Sequence, residues 1–432
     1  MCRFGTHRGA VSMSNRLQKS QLTTTSTTTQ VAFGDLTLVF VDQFSLRWND
    51  GGSGGDHDGA FWHPNAPSGF RPLGCIGVNN YDDPAGRQWA LCVKATVEGS
   101  DAVRSPTGYN RIWTDQGSGA DRDGACWEAI PPAGYAGLGH VFTSDYNPPS
   151  LEDIWCVRSD LVGEALLGDW LWDDSGTGSD ADFSAWRIDP TTYYHDNTTI
   201  LIGANCFYGV ASHDRPSPVV KVLRLEPPTE QGDTPPVPRL DSYDRPPAES
   251  DWMRERRITV PFTGVTDDHY DLAWKIANSP FYFLERWDNF QLELYDNNQQ
   301  AEPHELEREI TVGVTKSSTE TFNHEVGISI SYETGVSFGG VGSKVKGTLS
   351  YKFGYSTSTS VTNFQQNTVK LKLKTPGKHA AAMWAPHTMF KMLRADGSMV
   401  GTPLFLEDSG VAFYEREYPD TPSAKPRRRI PR

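Results

Sequence analysis

Carboxylates are the side chains of this 432-residue chain whose spacing most clearly suggests chemistry. Three aspartates fall within nine residues on a glycine-rich stretch, and the arrangement occurs three times. They are Asp50, Asp56 and Asp58, then Asp115, Asp121 and Asp123, then Asp174, Asp180 and Asp182. Ca²⁺ takes about six to eight hard oxygens, so the last two aspartates of each copy could bind it. Aspartates also cap the amides of turns, and the sequence leaves both roles open.

Two tryptophans enclose each acidic stretch, and the three copies align without a gap. The opening tryptophan is followed by aspartate at +2, glycine at +4 and +6, and a hydroxyl residue at +5. Aspartates at +8 and +10 and a closing tryptophan at +14 complete the motif. Glycine permits the positive φ of a tight turn, and indoles can pack beneath it. We predict that the opening Trp48, Trp113 and Trp172 and the aspartates contact a ligand or receptor.

The agreement continues downstream into an apolar strand. Gly69 and Leu73-Gly74 match Gly134 and Leu138-Gly139, and the strands read LCVK, WCVR and VVKVLR. Repeats of about 60 residues are typical of folds in which each copy buries a face against its neighbours. We therefore predict a recognition domain over residues 33–225, an all-β pseudo-three-fold β-prism, with a β-trefoil as the alternative.

The second copy, WTDQGSGADRDGACWEAIPPAGYAGLGHVFTS, resembles the vacuolar protein sorting 62 family. The resemblance covers roughly residues 33–225. Similar modules occur beside membrane-attack-complex/perforin domains, where they look like β-prisms used for target binding. The resemblance therefore implies a module that binds a surface glycan or lipid headgroup. The family's name would imply vacuolar trafficking, for which these residues offer no mechanism.

Strict alternation marks the C-terminal half. Between residues 326 and 338 the even positions are apolar or Thr and the odd ones are Glu, Gly or Ser. After a glycine-rich reversal at 339–344 the odd positions become apolar, so we predict an amphipathic hairpin over residues 324–357. Its predicted membrane-inserting side chains are Val326, Ile328, Ile330, Tyr332, Val336, Phe338, Leu349, Tyr351, Phe353 and Tyr355.

Both strands of this hairpin are long enough to cross a bilayer, which takes about 9–11 residues per strand. A half-buried hairpin of an ordinary sandwich alternates in the same way. Further strands are predicted at 308–322 and 361–374, and an aromatic segment at 276–297 precedes them. This layout over residues 251–420 resembles the aerolysin-like β-pore-forming toxins, which have an elongated antiparallel β domain. In that family protomers gather on a receptor and each donates one hairpin to a shared barrel.

The remaining segments carry little apolar sequence. Residues 21–30 are polar and of low complexity, and we expect residues 1–32 to be mostly disordered. Residues 226–250 hold seven prolines and are predicted to be a linker between the domains. Residues 421–432 form a basic tail that we expect to be frayed. No apolar run of signal-peptide length occurs near the N-terminus, so we expect a soluble protein, released non-classically, that acts at a target-cell membrane.

Composition and charge argue against several classes of function. The formal net charge of −14 argues against a nucleic-acid partner. All six cysteines precede residue 207 in no metal-binding spacing, and we expect buried thiols. No local catalytic motif is present, so we expect no enzymatic activity. The function predicted is that of a homo-oligomeric pore-forming toxin, insecticidal or cytolytic. The alternatives are a non-lytic carbohydrate-binding or trafficking adaptor and, with least support, a hydrolase acting at the aspartates.

Overall fold

The computed structural model describes residues 29–191, 196–313, 316–331, 335–340, 342–349, 367–406, 413–420 and 427–429. Regular structure in these ranges is almost entirely antiparallel β, which confirms the predicted fold class. Within the described ranges, two short 3₁₀ turns, Ser159–Leu161 and Phe262–Gly264, and two α-helices interrupt the strands. No helix among the described residues is long and apolar enough to cross a membrane.

Short strands build the first half of the chain. They are β1 (Gln30–Phe33), β2 (Leu36–Val41), β3 (Phe44–Asn49), β4 (Ala60–Pro64), β5 (Arg71–Pro72), β6 (Ile76–Val78), β7 (Ala90–Ala95), β8 (Val103–Arg104), β9 (Gly108–Thr114), β10 (Ala125–Ile130), β11 (Tyr135–Ala136), β12 (Val141–Thr143), β13 (Cys156–Arg158), β14 (Val162–Asp173), β15 (Ser184–Pro190), β16 (Ile200–Ile202), β17 (Phe207–Val210) and β18 (Val220–Leu225).

The three sequence copies form three equivalent groups of strands. Each group has the order β3-β4-β6, β9-β10-β12 or β14-β15-β17. The opening tryptophan lies on the first strand of a group and the closing tryptophan on the second. Between them the glycines at +4 and +6 have φ between 71° and 88° in every copy, which is the left-handed turn predicted from the motif. The pseudo-three-fold arrangement of the module is therefore confirmed.

Longer elements build the second half. They are β19 (Thr229–Gln231), β20 (Met253–Pro261), α1 (Leu272–Asn278), β21 (Phe281–Asn298), β22 (His304–Val312), α2 (Lys316–Val326), β23 (Ile328–Ser331), β24 (Gly335–Phe338), β25 (Val345–Leu349), β26 (Asn367–Thr375), β27 (His379–Leu393), β28 (Met399–Leu406), β29 (Phe413–Tyr418) and β30 (Arg427–Arg429). Strands β19-β20-β21-β27-β29-β30 form one sheet, β28 joins it at β27, and β22 pairs with β26 in a separate ladder.

Two predicted strands differ from the structure. The strand predicted at 308–322 ends at Val312, and α2 follows because Phe322 and Val326, four residues apart, bury one helical face. The strand predicted over the first half of the hairpin is divided between the end of α2, β23 and β24. The aromatic segment at 276–297 forms the end of α1 and most of β21.

The predicted flexible segments are partly ordered. β1 begins at Gln30, inside the segment expected to be disordered, because it pairs with β2; residues 1–28 lie outside the described part. In the proline-rich linker β19 pairs with β20, and Leu240 is 6% exposed. In the basic tail the strand Arg427–Arg429 pairs with β29. The expectation that the tail is frayed is therefore wrong for these three residues.

The two halves of the chain share a hydrophobic core. One buried cluster contains Leu36 and Ile202 from the module together with Ile258, Phe281 and Ile328 from the second half. Strand β25 also pairs with β16, with Val345 opposite Ile202, so one sheet of eight strands crosses the predicted domain boundary. The module therefore holds part of the predicted hairpin directly.

Candidate functional site

The three opening tryptophans meet on the pseudo-three-fold axis. Their ring centroids lie 5.3, 5.2 and 6.0 Å apart, and no ring is more than 2% exposed. Each indole N–H donates to a backbone carbonyl of the next copy in a closed ring. These bonds run from Trp48 to Arg122 at 3.0 Å, from Trp113 to Ala181 at 2.9 Å and from Trp172 to His57 at 2.9 Å. The prediction that these indoles contact a ligand is wrong, because the rings fill the core.

The +2 aspartates are also buried. Asp50, Asp115 and Asp174 are 2%, 4% and 5% exposed. Each carboxylate accepts a hydrogen bond from the backbone amide at +11, at 2.8 to 3.0 Å. Burial raises the pKa of Asp50 despite that bond. These side chains cap the loop from inside, as the alternative interpretation proposed, and they are not exposed to a receptor as the prediction required.

The +8 aspartates are exposed and lie at the contact between copies. Each packs against the +4 glycine of the preceding copy, where a Cβ atom would lie 2.5 to 2.8 Å from the carboxylate. The pairs are Asp121 with Gly52, Asp180 with Gly117, and Asp56 with Gly176. Glycine is therefore required there both by its φ and by the close approach of the neighbouring carboxylate.

The +10 aspartates are exposed and have aromatic or imidazole partners. Tyr81 interacts with Asp50 and Asp58, and the Tyr146 hydroxyl donates to Asp123 at 3.2 Å. In the third copy His213 takes this place, 2.6 Å from Asp174 and 4.0 Å from Asp182. The hydrogen bond with Asp174 raises the pKa of His213. Sequence reasoning missed these partners, although both tyrosines lie at +33 from their opening tryptophan.

A metal site is not formed by these loops. Across the described ranges, no group of three or more His, Cys, Asp or Glu side chains is placed to hold an ion. The last two aspartates of each copy (Asp56/Asp58, Asp121/Asp123, Asp180/Asp182) remain an exposed acidic rim. Calcium binding there stays a prediction without a geometric site.

The predicted inserting side chains that the structure describes are in the core. Val326, Ile328, Ile330, Val336, Phe338 and Leu349 are at most 4% exposed and belong to the shared cluster. Tyr332, Tyr351, Phe353 and Tyr355 lie outside the described residues. This apolar face is thus covered in the structure.

A three-strand meander holds this face in place. Val336 of β24 faces both Ile330 of β23 and Leu349 of β25. The backbone of Lys344 accepts from the Gly203 amide at 2.8 Å, and its ammonium pairs with Asp189 of the module. The predicted reversal at 339–344 is confirmed, but the strands beside it are shorter than predicted. We define residues 316–349 as the docked segment.

Comparison with known proteins finds a matching family for each half of the chain. Residues 10–230 match the family described as vacuolar protein sorting-associated protein 62. The chain belongs to this family. Residues 256–403 match the family described as insecticidal crystal toxin, P42, which supports a toxin of that kind and accords with the toxin predicted from the C-terminal half. No curated protein matches the chain.

Two solved structures resemble this member of the family. GNIP1Aa from Chromobacterium piscinae is 32% identical over 42% of this chain and 34% of its own, with a TM-score of 0.36. The aligned part thus spans about a third of GNIP1Aa. Cry35Ab1 is 13% identical over 90% of this chain and 91% of its own, with a TM-score of 0.35.

Proposed function

We propose that the protein is a pore-forming toxin. The N-terminal module binds a target-cell surface, protomers assemble there, and each inserts residues 324–357 as one amphipathic hairpin. The docked segment leaves its place in the core during this step. The mechanism is non-enzymatic, because burial of apolar side chains in the bilayer drives insertion.

The register of β22 on β26 carries this proposal. Opposite residues in this ladder have numbers that add to 679, from His304 with Thr375 to Val312 with Asn367. A ladder extended without slippage would place Phe338 opposite Val341 and turn at Gly339-Gly340. Gly-Gly is one of the dipeptides favoured in two-residue hairpin turns, since both positions need positive φ.

The same register aligns the apolar faces. Directly opposite residues of an antiparallel pair project from one face of a sheet. In β22 and β26 the buried face contains Leu306 and Ile310 at even positions, with Leu371 and Leu373 at odd positions. Even positions before the turn and odd positions after it also carry the predicted inserting residues. The extended hairpin would therefore carry the apolar residues between 326 and 355 on the same face as Leu306 and Leu373, and polar residues such as Lys316 and Glu320 would lie between the two apolar stretches.

Helix α2 has a sequence that supports conversion to a strand. Its residues read KSSTETFNHEV, in which serine and threonine are poor helix formers. Its burial depends on Phe322 and Val326, which are 1% and 0% exposed. Loss of this packing leaves little intrinsic helix stability, so α2 can join the extended hairpin at modest cost.

Release of dye from liposomes tests this function. Ile330→Asp puts a charge on the proposed lipid face, and Ser329→Asp puts the same charge on the opposite face, where the side chain is already exposed. We expect wild-type protein and Ser329→Asp to release dye and Ile330→Asp to release none. Because Ile330 is buried, Phe353→Asp serves as a second variant, and thermal unfolding identifies any variant that fails to fold.

Equal release by wild type, Ile330→Asp and Phe353→Asp would contradict insertion of this face. A second candidate function, a non-lytic adaptor whose docked segment stays in the core, is favoured by the burial of the six described side chains of the proposed inserting face. Binding to target membranes without release from any of them would support the adaptor.

A further inference from the structure

A cavity of about 280 Å³ lies between the second and third copies of the module. Strand β10 contributes Glu128, β11 contributes Tyr135, β17 contributes Tyr208 and β18 contributes Lys221. His140 forms part of its lining, just before β12. The cavity is separate from the acidic rim, and its volume is near the lower end of the range of about 300–1,000 Å³ for ligand pockets.

His140 presents an unused hydrogen-bond donor in this cavity. The side chain is 5% exposed, and its Nδ1 accepts from the Gly209 amide at 3.1 Å. Burial lowers the pKa of His140 to about 4, so the ring is neutral and its hydrogen is on Nε2. Nε2 has no hydrogen-bond partner in the described chain and is not sealed from solvent, so it opens onto the cavity.

The pseudo-symmetry shows that the fold does not require this imidazole. The positions equivalent to His140 in the other two copies are Cys75 and Phe207. The Cys75 amide donates to the His140 carbonyl at 2.9 Å, and the His140 amide donates to the Phe207 carbonyl at 3.1 Å. Both equivalents are fully buried without a side-chain donor of comparable strength. Because Nε2 is open to the cavity, water can bond this donor in the free protein, and an acceptor on a ligand can replace that water. The broken symmetry therefore points to binding.

The other walls indicate the class of ligand. Tyr208 packs on His140 with ring centroids 4.7 Å apart, and Val219 at the rim is 74% exposed. Glu128 and Lys221 bring an acceptor and a donor of opposite charge to one opening. A phosphate would be repelled by Glu128, whereas a neutral polyol can use both groups together with the aromatic surfaces.

We propose that this cavity is a saccharide-binding site, in which His140 Nε2 donates to a ring or hydroxyl oxygen. Glu128 accepts from a hydroxyl group, Lys221 donates to another, and Tyr208 packs on the apolar face of the sugar. The inference deepens the proposed function, since it rests on the recognition role of the module. It places the receptor contact in the cavity and not at the acidic loops.

Titration of the full chain with neutral sugars tests the site. Glucose, galactose, mannose and N-acetylgalactosamine would be added separately while binding is followed by saturation-transfer NMR, with inorganic phosphate in a parallel series. We expect at least one sugar to bind and His140→Phe, which introduces the residue of the third copy, to weaken it at least about tenfold. Tyr208→Leu is the second variant, in case His140→Phe does not fold.

Asp123→Asn at the acidic rim is the matched control and is expected to bind normally. Absence of sugar binding, or wild-type affinity in both folded cavity variants, would overturn the proposal, as would phosphate binding in place of sugars. The assay needs no membrane. Sugar binding without dye release would therefore support the saccharide site and contradict pore formation. Dye release without sugar binding would support pore formation and contradict the saccharide site.

Discussion

A disulfide between Val336→Cys and Leu349→Cys should lock the docked segment and abolish pore formation. These residues face one another in β24 and β25. Opposite Cα atoms in antiparallel strands lie about 4.5–5.5 Å apart, within the range of about 4.4–6.8 Å for disulfides. Both side chains are buried and apolar, so the bridge replaces a packing contact without adding charge.

The required displacement gives the magnitude of the effect. In the extended hairpin Val336 would face Ser343, so Leu349 would lie six residues farther along the strand. At about 3.4 Å per residue the two crosslinked positions would separate by about 20 Å. A disulfide tolerates no more than about 7 Å between Cα atoms. The oxidised protein therefore cannot reach the proposed register at all.

The matched control crosslinks Ile330→Cys with Leu349→Cys. In the structure β24 lies between these residues, which separates them by about 9.6 Å and prevents a bridge. In the extended hairpin they would face one another, so oxidation after membrane binding should join them. The five described native cysteines are buried, and Cys2→Ser would remove the sixth.

Dye release is measured before and after reduction, in parallel with gel mobility of the membrane-bound protein. We expect the oxidised Val336/Leu349 variant to be silent and to regain wild-type release on reduction. The Ile330/Leu349 variant should form its bridge only on membranes. Full release by the oxidised Val336/Leu349 variant would refute the register argument, because the docked pairing would then be compatible with the pore.

Two further predictions concern the module. Gly117→Ala should lower the unfolding free energy by about 2–4 kcal/mol in urea denaturation, because it combines positive φ with a Cβ contact of 2.7 Å to a carboxylate. Gly119→Ala, with positive φ but open space, should cost only about 1–2 kcal/mol, and equal losses would contradict the packing argument. Since Asp174 raises the pKa of His213, their pairing stabilises the fold below about pH 6.5, and this gain is lost as pH rises through the raised value. Unfolding at about pH 6 and pH 9 should show a smaller pH dependence in His213→Phe, and an unchanged dependence would exclude the pairing as its source.

The repeat was predictable because its determinants are local. Positive φ at glycine and the spacing of tryptophans act within fifteen residues, and all three copies preserve them. The roles of the side chains were less predictable. A tryptophan beside aspartates can bind a ligand or fill a core, and only the meeting of Trp48 with two rings from distant copies decides between these roles.

The hairpin shows a different limit of sequence interpretation. Alternation of period 2 assigns side chains to faces, and Ile328, Ile330 and Val336 are indeed on one buried face. It does not assign strand length or register, because the docked meander and an extended hairpin satisfy the same alternation. The choice depends on contacts with β16 and with Asp189, which are far away in sequence.

The ring of tryptophan bonds also constrains the order in which the molecule can be made. Its bonds span 74, 68 and 115 residues, and the longest returns from Trp172 to His57. The first copy is synthesised well before the third, so the hydrogen-bond ring around Trp48 cannot close until Trp172 has been synthesised. Long-range contacts of this kind slow folding and leave apolar surface exposed meanwhile. A chain that ends before the third copy would thus expose its indoles to solvent. Such a chain would be prone to aggregation and would be a substrate for the chaperones and proteases of the producing cell.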